Sequence, residues 1–526
     1  MSIFSNLSVA IATSNAAVIE LFSWQWWQQK KYSSLRSLPS PQGHWLLGNA
    51  PQLLAAAKEK KFFSCLSNWA KELGPMYVLW VAGKPTLILS KPRVIEEILT
   101  RKQKELTLVR SLRLRKLWKE LFGGSTIIEQ EGTEWQWRRQ TFTQSLTSTH
   151  LNAYLEIICL GCTQVVSTLK DAAVQQKVVQ VDPIFAQLTM KLISCFLLGI
   201  PLEKESLTNE GEDPPLETDK LYEAFAILTR QFLAEAAGEK KWLKYLPTST
   251  GNSYWSAKQY LQEFISPRVD LALQIAGRKH QHTPVVASSS FEKSMLVHLA
   301  KQPKFTEEML CSEAKLMLFA GTDTTAHTLS FGVGALGLNP SVFQKARQEV
   351  DQVWQVHKEI NSKGLKKLTY IQGVIKEVMR LYPVSNGSTS CVAIEDTVIE
   401  GVKIPKGTII SWSILAAGRD AEEYPQPDEF LPERWLKDQQ GETKPLTMLA
   451  FGSGPHRCLG EPLAMLEATV MLALLLRYFD WELVNGCKSL EQLGQNLTIF
   501  PQDRMPVRFK VRELAEGTLY PVPGKV

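Results

Sequence analysis

This 526-residue sequence shows no internal repeat, no Gly/Ser-rich linker between its motifs and no cysteine-pair framework. Without repeats it is not a solenoid or propeller. Without linkers it does not read as a string of modules, although length alone would suggest two to four domains of ~100 to 200 residues. Its eight cysteines lack the spaced pairs of a small secreted scaffold, which points to a reducing compartment. The one C-x-x-C, Cys159 and Cys162 in IICLGC, lies in an apolar helical run with no companion Cys or His nearby, so both thiols are expected in the core. Charge of one sign is also scarce: a net charge of +6 is small for this length and comes with no nucleic-acid-binding motif. It fits an acidic redox partner or an anionic membrane surface. With 44% hydrophobic and 21% charged residues, the composition is that of a globular protein with a sizeable core.

A long uninterrupted apolar run is missing from the N-terminus too. Leu7 to Trp24 is broken by Ser8, Thr13, Ser14, Asn15 and Glu20, a poor match to the ~20 residues of a bilayer span. Trp24, Trp26 and Trp27 followed by Lys30 and Lys31 resemble the headgroup-level residues of an interfacial segment. Peripheral membrane association is the first expectation, a soluble cytoplasmic protein the second and a single span the third. A cleaved signal is expected least, because the basic start is lacking.

What is present begins with FGSGPHRCLG, Phe451 to Gly460, opening a run in which Leu463, Leu466, Val470, Leu474 and Leu475 recur at helical spacing. A thiol becomes a metal-binding thiolate where a helix N-terminus, backbone N–H groups or cations stabilise its charge. Cys458 has all three within reach, with His456 and Arg457 as the cations. Gly452, Gly454 and Gly460 are expected to take left-handed turns and let backbone approach a flat macrocycle, while Pro455 stiffens the loop. The bland alternative is a structural cysteine in a turn.

These residues resemble the signature of the cytochrome P450 family of haem-thiolate monooxygenases: Phe, two residues, Gly, three residues, Cys, one residue, Gly. Phe451, Gly454, Cys458 and Gly460 match it. The resemblance implies haem b (iron protoporphyrin IX) with Cys458 as the axial metal ligand, and His456, where the family usually has Arg, against a haem propionate.

A second motif, AGTDTT, spans Ala320 to Thr325 inside an apolar run that Thr306 can cap and that Asn339 and Pro340 stop. Asp323 and three hydroxyls amid Leu316, Met317, Leu318 and Phe319 are costly to bury without partners, which suggests a polar cleft rather than a solvated face. Threonines that bond back four residues can widen or bend a helix. In the family this stretch crosses the oxygen side of the haem. The resemblance implies Ala320 and Gly321 at the dioxygen site, with Gly321 making room, and Asp323 with Thr324 delivering protons.

Glu377 and Arg380, three apart in TYIQGVIKEVMRLYP, share a helical face, with Thr369 as a plausible cap. Alone the pair would be weak evidence, but FLPERW supplies Arg434, and the family has this Glu–Arg–Arg cluster as a buried structural element. In GTEWQWRRQ, Trp135 and Arg139 share a face that the family lays against the haem propionates. Arg138 turns elsewhere, a candidate for an electron donor's docking surface. A plain amphipathic helix with snorkelling arginines is the alternative. One departure stands out: where members often carry a propionate-binding arginine, alignment on GVKIPKG places Cys391, which is expected to line the substrate cavity instead.

The expected fold is therefore mainly α with small β-sheets, a single large domain enclosing haem. Residues 1–37 form an N-terminal membrane-associating segment and hinge (LPSPQGHWLLGN resembles the family's proline-rich hinge), 38–512 the P450 domain and 513–526 a C-terminal tail. Strands are expected in MYVLWVAG, PTLILS and TVIEGVKIPKGTIISWSI, and surface connections at Glu203 to Leu216 and Gly277 to Ser290. The implied activity inserts one atom of O2 into a lipophilic substrate (fatty acid, terpenoid, retinoid or sterol). Electrons come from NAD(P)H through a separate reductase or ferredoxin, since no flavin or iron–sulfur module is attached. The cavity walls are expected from Arg101 to Gln130, the helix around Ala320 and the helices flanking Pro247. Two alternatives remain: a peroxide-rearranging haem-thiolate isomerase, and a non-catalytic haem protein that carries electrons or senses gas.

Overall fold

The computed structural model describes residues 30–100, 106–107, 112–202, 217–236, 241–279, 288–386, 390–436 and 446–513. The N-terminal apolar stretch with its tryptophans, the connection at 203–216 and most of that at 277–290 lie outside them. The chain divides into two compact units, Met1–Arg110 with Gly387–Glu423 and Ser111–Asn386 with Tyr424–Val526.

The first unit holds helices α1 (Ala50–Lys58), α2 (Phe62–Leu73) and α3 (Pro92–Thr100) and a five-stranded sheet. Strands Met76–Val81 and Lys84–Leu89 form a hairpin whose two turn residues, Ala82 and Gly83, both have positive φ, the twist a two-residue turn demands. Ile409–Trp412 adds in parallel, then Cys391–Ala393 and Leu106–Thr107 antiparallel. All three strand-like strings of the sequence are strands here. On one face Leu66 and Ala70 of α2 pack on Tyr77, Leu79 and Ile88, and the Tyr77 hydroxyl donates to the Leu66 carbonyl at 2.8 Å. Cys391 is wholly buried in this sheet, its thiol 3.8 Å from the Ile410 carbonyl. It therefore lines no cavity, because sheet packing covers the side chain completely.

The second unit contains α4 (Leu112–Phe122), α5 (Gly132–Ser145), α6 (Ser148–Val174), α7 (Val181–Leu198), α8 (Glu217–Ala236), α9 (Ser249–Ile275), α10 (Glu307–Leu338), α11 (Pro340–His357), α12 (Thr369–Leu381) and α13 (Glu461–Tyr478). The central element is α10, about 48 Å long at 1.5 Å per residue. Thr306 caps it, accepting the Met309 N–H at 3.2 Å, and Pro340 opens the next helix. Apolar residues surround α10 on most sides because α7, α9, α12 and α13 pack on it. Helices α6 and α7 are long and apolar enough to cross a membrane, yet α7 is almost entirely buried against α6 and α10 as a core helix. Cys162 is buried in α6 and Cys159 only partly so; burial raises both thiols. The cap of α12 differs from expectation. Thr369 is its first residue, and the Glu349 carboxylate of α11 accepts the Tyr370 and Ile371 N–H groups at 2.7 and 3.0 Å. A carboxylate meets two orphan donors at once, which one hydroxyl cannot do.

Candidate active site

The loop before α13 is built by backbone bonds. The Cys458 N–H donates to the Phe451 carbonyl at 2.8 Å and the Arg457 N–H to Gly454 at 3.1 Å, closing a turn around Pro455. Gly452 and Gly454 have φ of +72° and +67°, as the sequence predicts. Gly460 does not: at φ −78° it is the N-cap of α13 in right-handed geometry, so no left-handed freedom is used there.

Cys458 is accessible at its surface although enough protein surrounds it for burial to be the leading influence on its thiol. Burial holds the thiol above its ordinary value, while the Gly460 and Glu461 N–H groups and the Arg139 guanidinium pull it down. Arg457 is neutralised by Glu461, Nη2 to Oε1 at 2.6 Å, and that same carboxylate repels charge on the sulfur. An iron ion is the cation such a sulfur needs, so the donor set fits haem.

Helix α5 supplies the flank. Trp135 stacks at 33° on His456 with ring centroids 4.0 Å apart, and Arg139 Nη1 donates to the Arg457 carbonyl at 2.5 Å. The structure therefore joins Trp135, Arg139, His456 and Cys458 in one place. Arg138 is not on a surface. Only 1% exposed, it bonds Glu313 of α10 at 2.8 Å, Glu134 at 2.7 Å and the Ser125 carbonyl. A buried carboxylate needs this cation, so docking cannot use it.

On α10, Ala320 is exposed and Gly321, Asp323 and Thr324 are half-buried within a helix whose central turns are otherwise mostly buried, a local opening in the core. The Thr324 hydroxyl donates to the Ala320 carbonyl at 2.9 Å, and Thr322 and Thr328 bond back in the same way, yet the helix continues unbroken. Asp323 keeps one buried oxygen without a partner, and burial raises its carboxyl above the usual range. The space left by Gly321 is taken by α7: a Cβ there would lie 2.8 Å from Ile193. The glycine thus allows close packing of α10 on α7.

Above this stretch Trp118 and Phe122 of α4, Phe225 and Phe232 of α8 and Phe319 of α10 form one aromatic cluster. Trp118 and Phe232 centroids are 4.5 Å apart, and Phe319 touches Trp118, Phe122 and Phe225. Of the expected cavity walls, residues 101–105 and 108–111 lie outside the described residues.

Glu377 is fully buried, and its carboxylate accepts from Arg380 at 2.7 and 2.9 Å, from Arg434 at 3.0 Å, and also from the Leu431 N–H and the Trp435 indole. The two guanidiniums then hold the carbonyls of Pro425, Gln426, Pro427 and Glu429. Trp435 was missed from sequence although it ends FLPERW. Also missed were Tyr222, Asp182, His327 and Arg504, which surround Asp323 electrostatically. Only His327 gave a signal, four residues after Asp323 on the same helix.

Among known proteins the chain is similar over 503 residues to rat cytochrome P450 4V2, at 26% identity covering 92% of this chain and 91% of that protein. It is 26% identical to dog cytochrome P450 3A12, covering 85% and 86%. Mouse cytochrome P450 3A13 is 25% identical over 83% and 84%. The Cytochrome P450 family model matches residues 38–508. With the fold mainly helical around an enclosed cysteine loop, the chain belongs to the cytochrome P450 family of haem-dependent monooxygenases, which use haem b and NAD(P)H-derived electrons.

Proposed function

We propose that the chain inserts one oxygen atom into a lipophilic substrate of the fatty acid, terpenoid, retinoid or sterol class, with Cys458 as the residue that would hold the haem iron. The observation that carries this reading is the accessible Cys458 sulfur at the start of α13, whose thiol is pulled down by the Gly460 and Glu461 N–H groups and the Arg139 guanidinium. Bound haem would supply the iron at which O2 is reduced. Phe451, Gly454 and Gly460 shape the loop; Trp135, Arg139 and His456 would hold the propionate side of the haem; Glu377, Arg380 and Arg434 brace the neighbouring polypeptide. Asp323 holds a proton more readily than an exposed aspartate, and Thr324 beside it offers a hydroxyl. Together they can pass protons inward without admitting bulk water. The aromatic cluster of α4, α8 and α10 supports an apolar substrate.

Electrons come from a separate reductase or ferredoxin in this reading. Residues 38–512 act as the catalytic domain, 1–37 as a membrane-associating segment with its hinge, and 513–526 as a tail. Exposed Trp242, Tyr245, Leu246 and Trp255, gathered in one short stretch, support an intracellular location at a membrane surface. The Asp323–Thr324 pair favours O2-dependent oxygenation over peroxide rearrangement or electron carriage, which need no proton supply. The carbon monoxide difference spectrum of the reduced protein tests the ligand: a strongly red-shifted Soret band is expected, and a band typical of histidine-ligated haem sinks the assignment. Turnover with peroxide alone, indifferent to NAD(P)H, would favour the isomerase reading.

A further inference from the structure

His327 lies one turn beyond Asp323 on α10 and is 2% exposed. Its Nδ1 is 2.7 Å from Asp182 Oδ1 on α7, and the same oxygen accepts the Ser330 hydroxyl at 2.9 Å. The other oxygen, Oδ2, accepts from Arg504 Nη1 at 2.9 Å, and the Arg504 side chain, 37% exposed, carries this cluster to the surface. The Phe500 ring lies 5.5 Å from the His327 ring and 4.4 Å from the Arg504 guanidinium. From α8, Tyr222 lies close enough to Asp323 to influence its charge, and Asp323 Oδ1 is buried and unpartnered. The ionisable groups facing His327 are therefore Asp182, Asp323 and Arg504, with Tyr222 behind Asp323.

Charge balance decides what such a cluster can do. Arg504 and Asp182 offset one another, so the charged form of His327 and the ionised form of Asp323 each favour the other. Burial alone would keep His327 neutral, but the Asp182 and Asp323 carboxylates outweigh it and raise the imidazole above its usual value. Burial raises Asp323, and His327 is the strongest influence against it. Each group sets the other's proton occupancy.

We propose that His327, clamped by Asp182, is a positioning residue that sets the charge of Asp323, keeping that carboxyl able both to hold and to release a proton during turnover. The inference rests on the reading of Asp323 as part of the proton supply. It assigns no contact with haem or substrate to His327. No feature of the cytochrome P450 match implies it, since AGTDTT ends before His327.

The test is infrared spectroscopy of the holoprotein across pH, following the carboxyl stretch of protonated Asp323, identified as the band lost in Asp323→Asn. His327→Asn keeps an N–H donor for Asp182 but removes the cation. It should move that band's midpoint up by about one pH unit or more, and move the pH profile of the product-to-peroxide ratio the same way. An unmoved midpoint, or no band lost in Asp323→Asn, overturns the inference. Unchanged product yield per NAD(P)H in Asp323→Asn would instead sink the reading beneath it, so the two failures are distinguishable. Should His327→Asn not hold haem, the wild-type protein labelled with 15N-histidine serves in its diamagnetic ferrous carbonyl form. One exchange-protected ring should stay doubly protonated to a higher pH than the solvent-exposed histidines, and its absence overturns the inference.

Discussion

Arg139 Nη1 donates to the carbonyl of Arg457, tying α5 to the residue immediately before Cys458 across 318 positions of sequence. The same guanidinium lowers the Cys458 thiol by its charge. Arg139→Ala removes both effects and should weaken haem retention by roughly tenfold or more, as hydrogen bonds from charged groups are worth about 1.5–3 kcal/mol. Arg139→Lys keeps the charge without the fork and should lie between. The haem-to-protein ratio after gel filtration checks both, and equal ratios in all three proteins would refute the role.

Cys458→Ser should abolish the red-shifted carbonyl band while leaving a helical circular dichroism spectrum, because the loop is held by backbone bonds and the Arg139 tie. Persistence of that band would mean another residue binds the iron.

Glu377→Gln leaves Arg380 and Arg434 buried without their anion. Breaking a buried pair of this kind costs about 3–5 kcal/mol. The expected result is a sharp fall in folded, haem-containing protein with unchanged product distribution in the fraction that survives. A shift in regiochemistry with normal yield would argue for a role in substrate binding.

Thr324→Ala should lower product per NAD(P)H and raise hydrogen peroxide release, with substrate affinity little changed. Asp323→Asn should slow product formation by roughly 10²-fold, the usual contribution of a positioned proton donor. Side-by-side peroxide and product assays decide it, and a wild-type ratio in both variants would contradict the proton-supply reading.

Glu467 on α13 is 3% exposed, and burial alone raises its carboxyl to about 8. Its folded value exceeds its unfolded one, so its contribution to stability is fully present below the unfolded value near 4.5 and lost as pH rises through about 8. Glu467→Gln should therefore raise Tm at pH 8–9 relative to wild type and have little effect below pH 4.5, on the order of a few kcal/mol at the high end. Equal gains at both ends would point to packing rather than ionisation.

Motifs whose members are neighbours in sequence were legible because local geometry determines them. The Cys458 loop, the Thr306 cap, the α10 span and the 76–89 hairpin follow from turn residues, caps and apolar period alone. Glu377 with Arg380 was legible from helical spacing, and Arg434 from FLPERW beside the resemblance. Long-range compensation was not legible. Arg138 reads as a surface cation until Glu313 is found buried against it, Gly321 reads as space until Ile193 fills it, and Thr369 reads as a cap until the carboxylate of Glu349 takes its place.

By itself the sequence determined the chemistry: one cysteine in a glycine-bearing loop at a helix start, an acid–alcohol pair in a long apolar helix, and a mainly α fold. Local backbone preference and residue type suffice for each of these. Only the tertiary structure decided which charges are paired, because burial and distance set the energy of a charge and neither is written in spacing. Arg138 became internal, Cys391 disappeared into a sheet, and Asp182 and Arg504 gathered beside Asp323 and His327 from two distant parts of the chain.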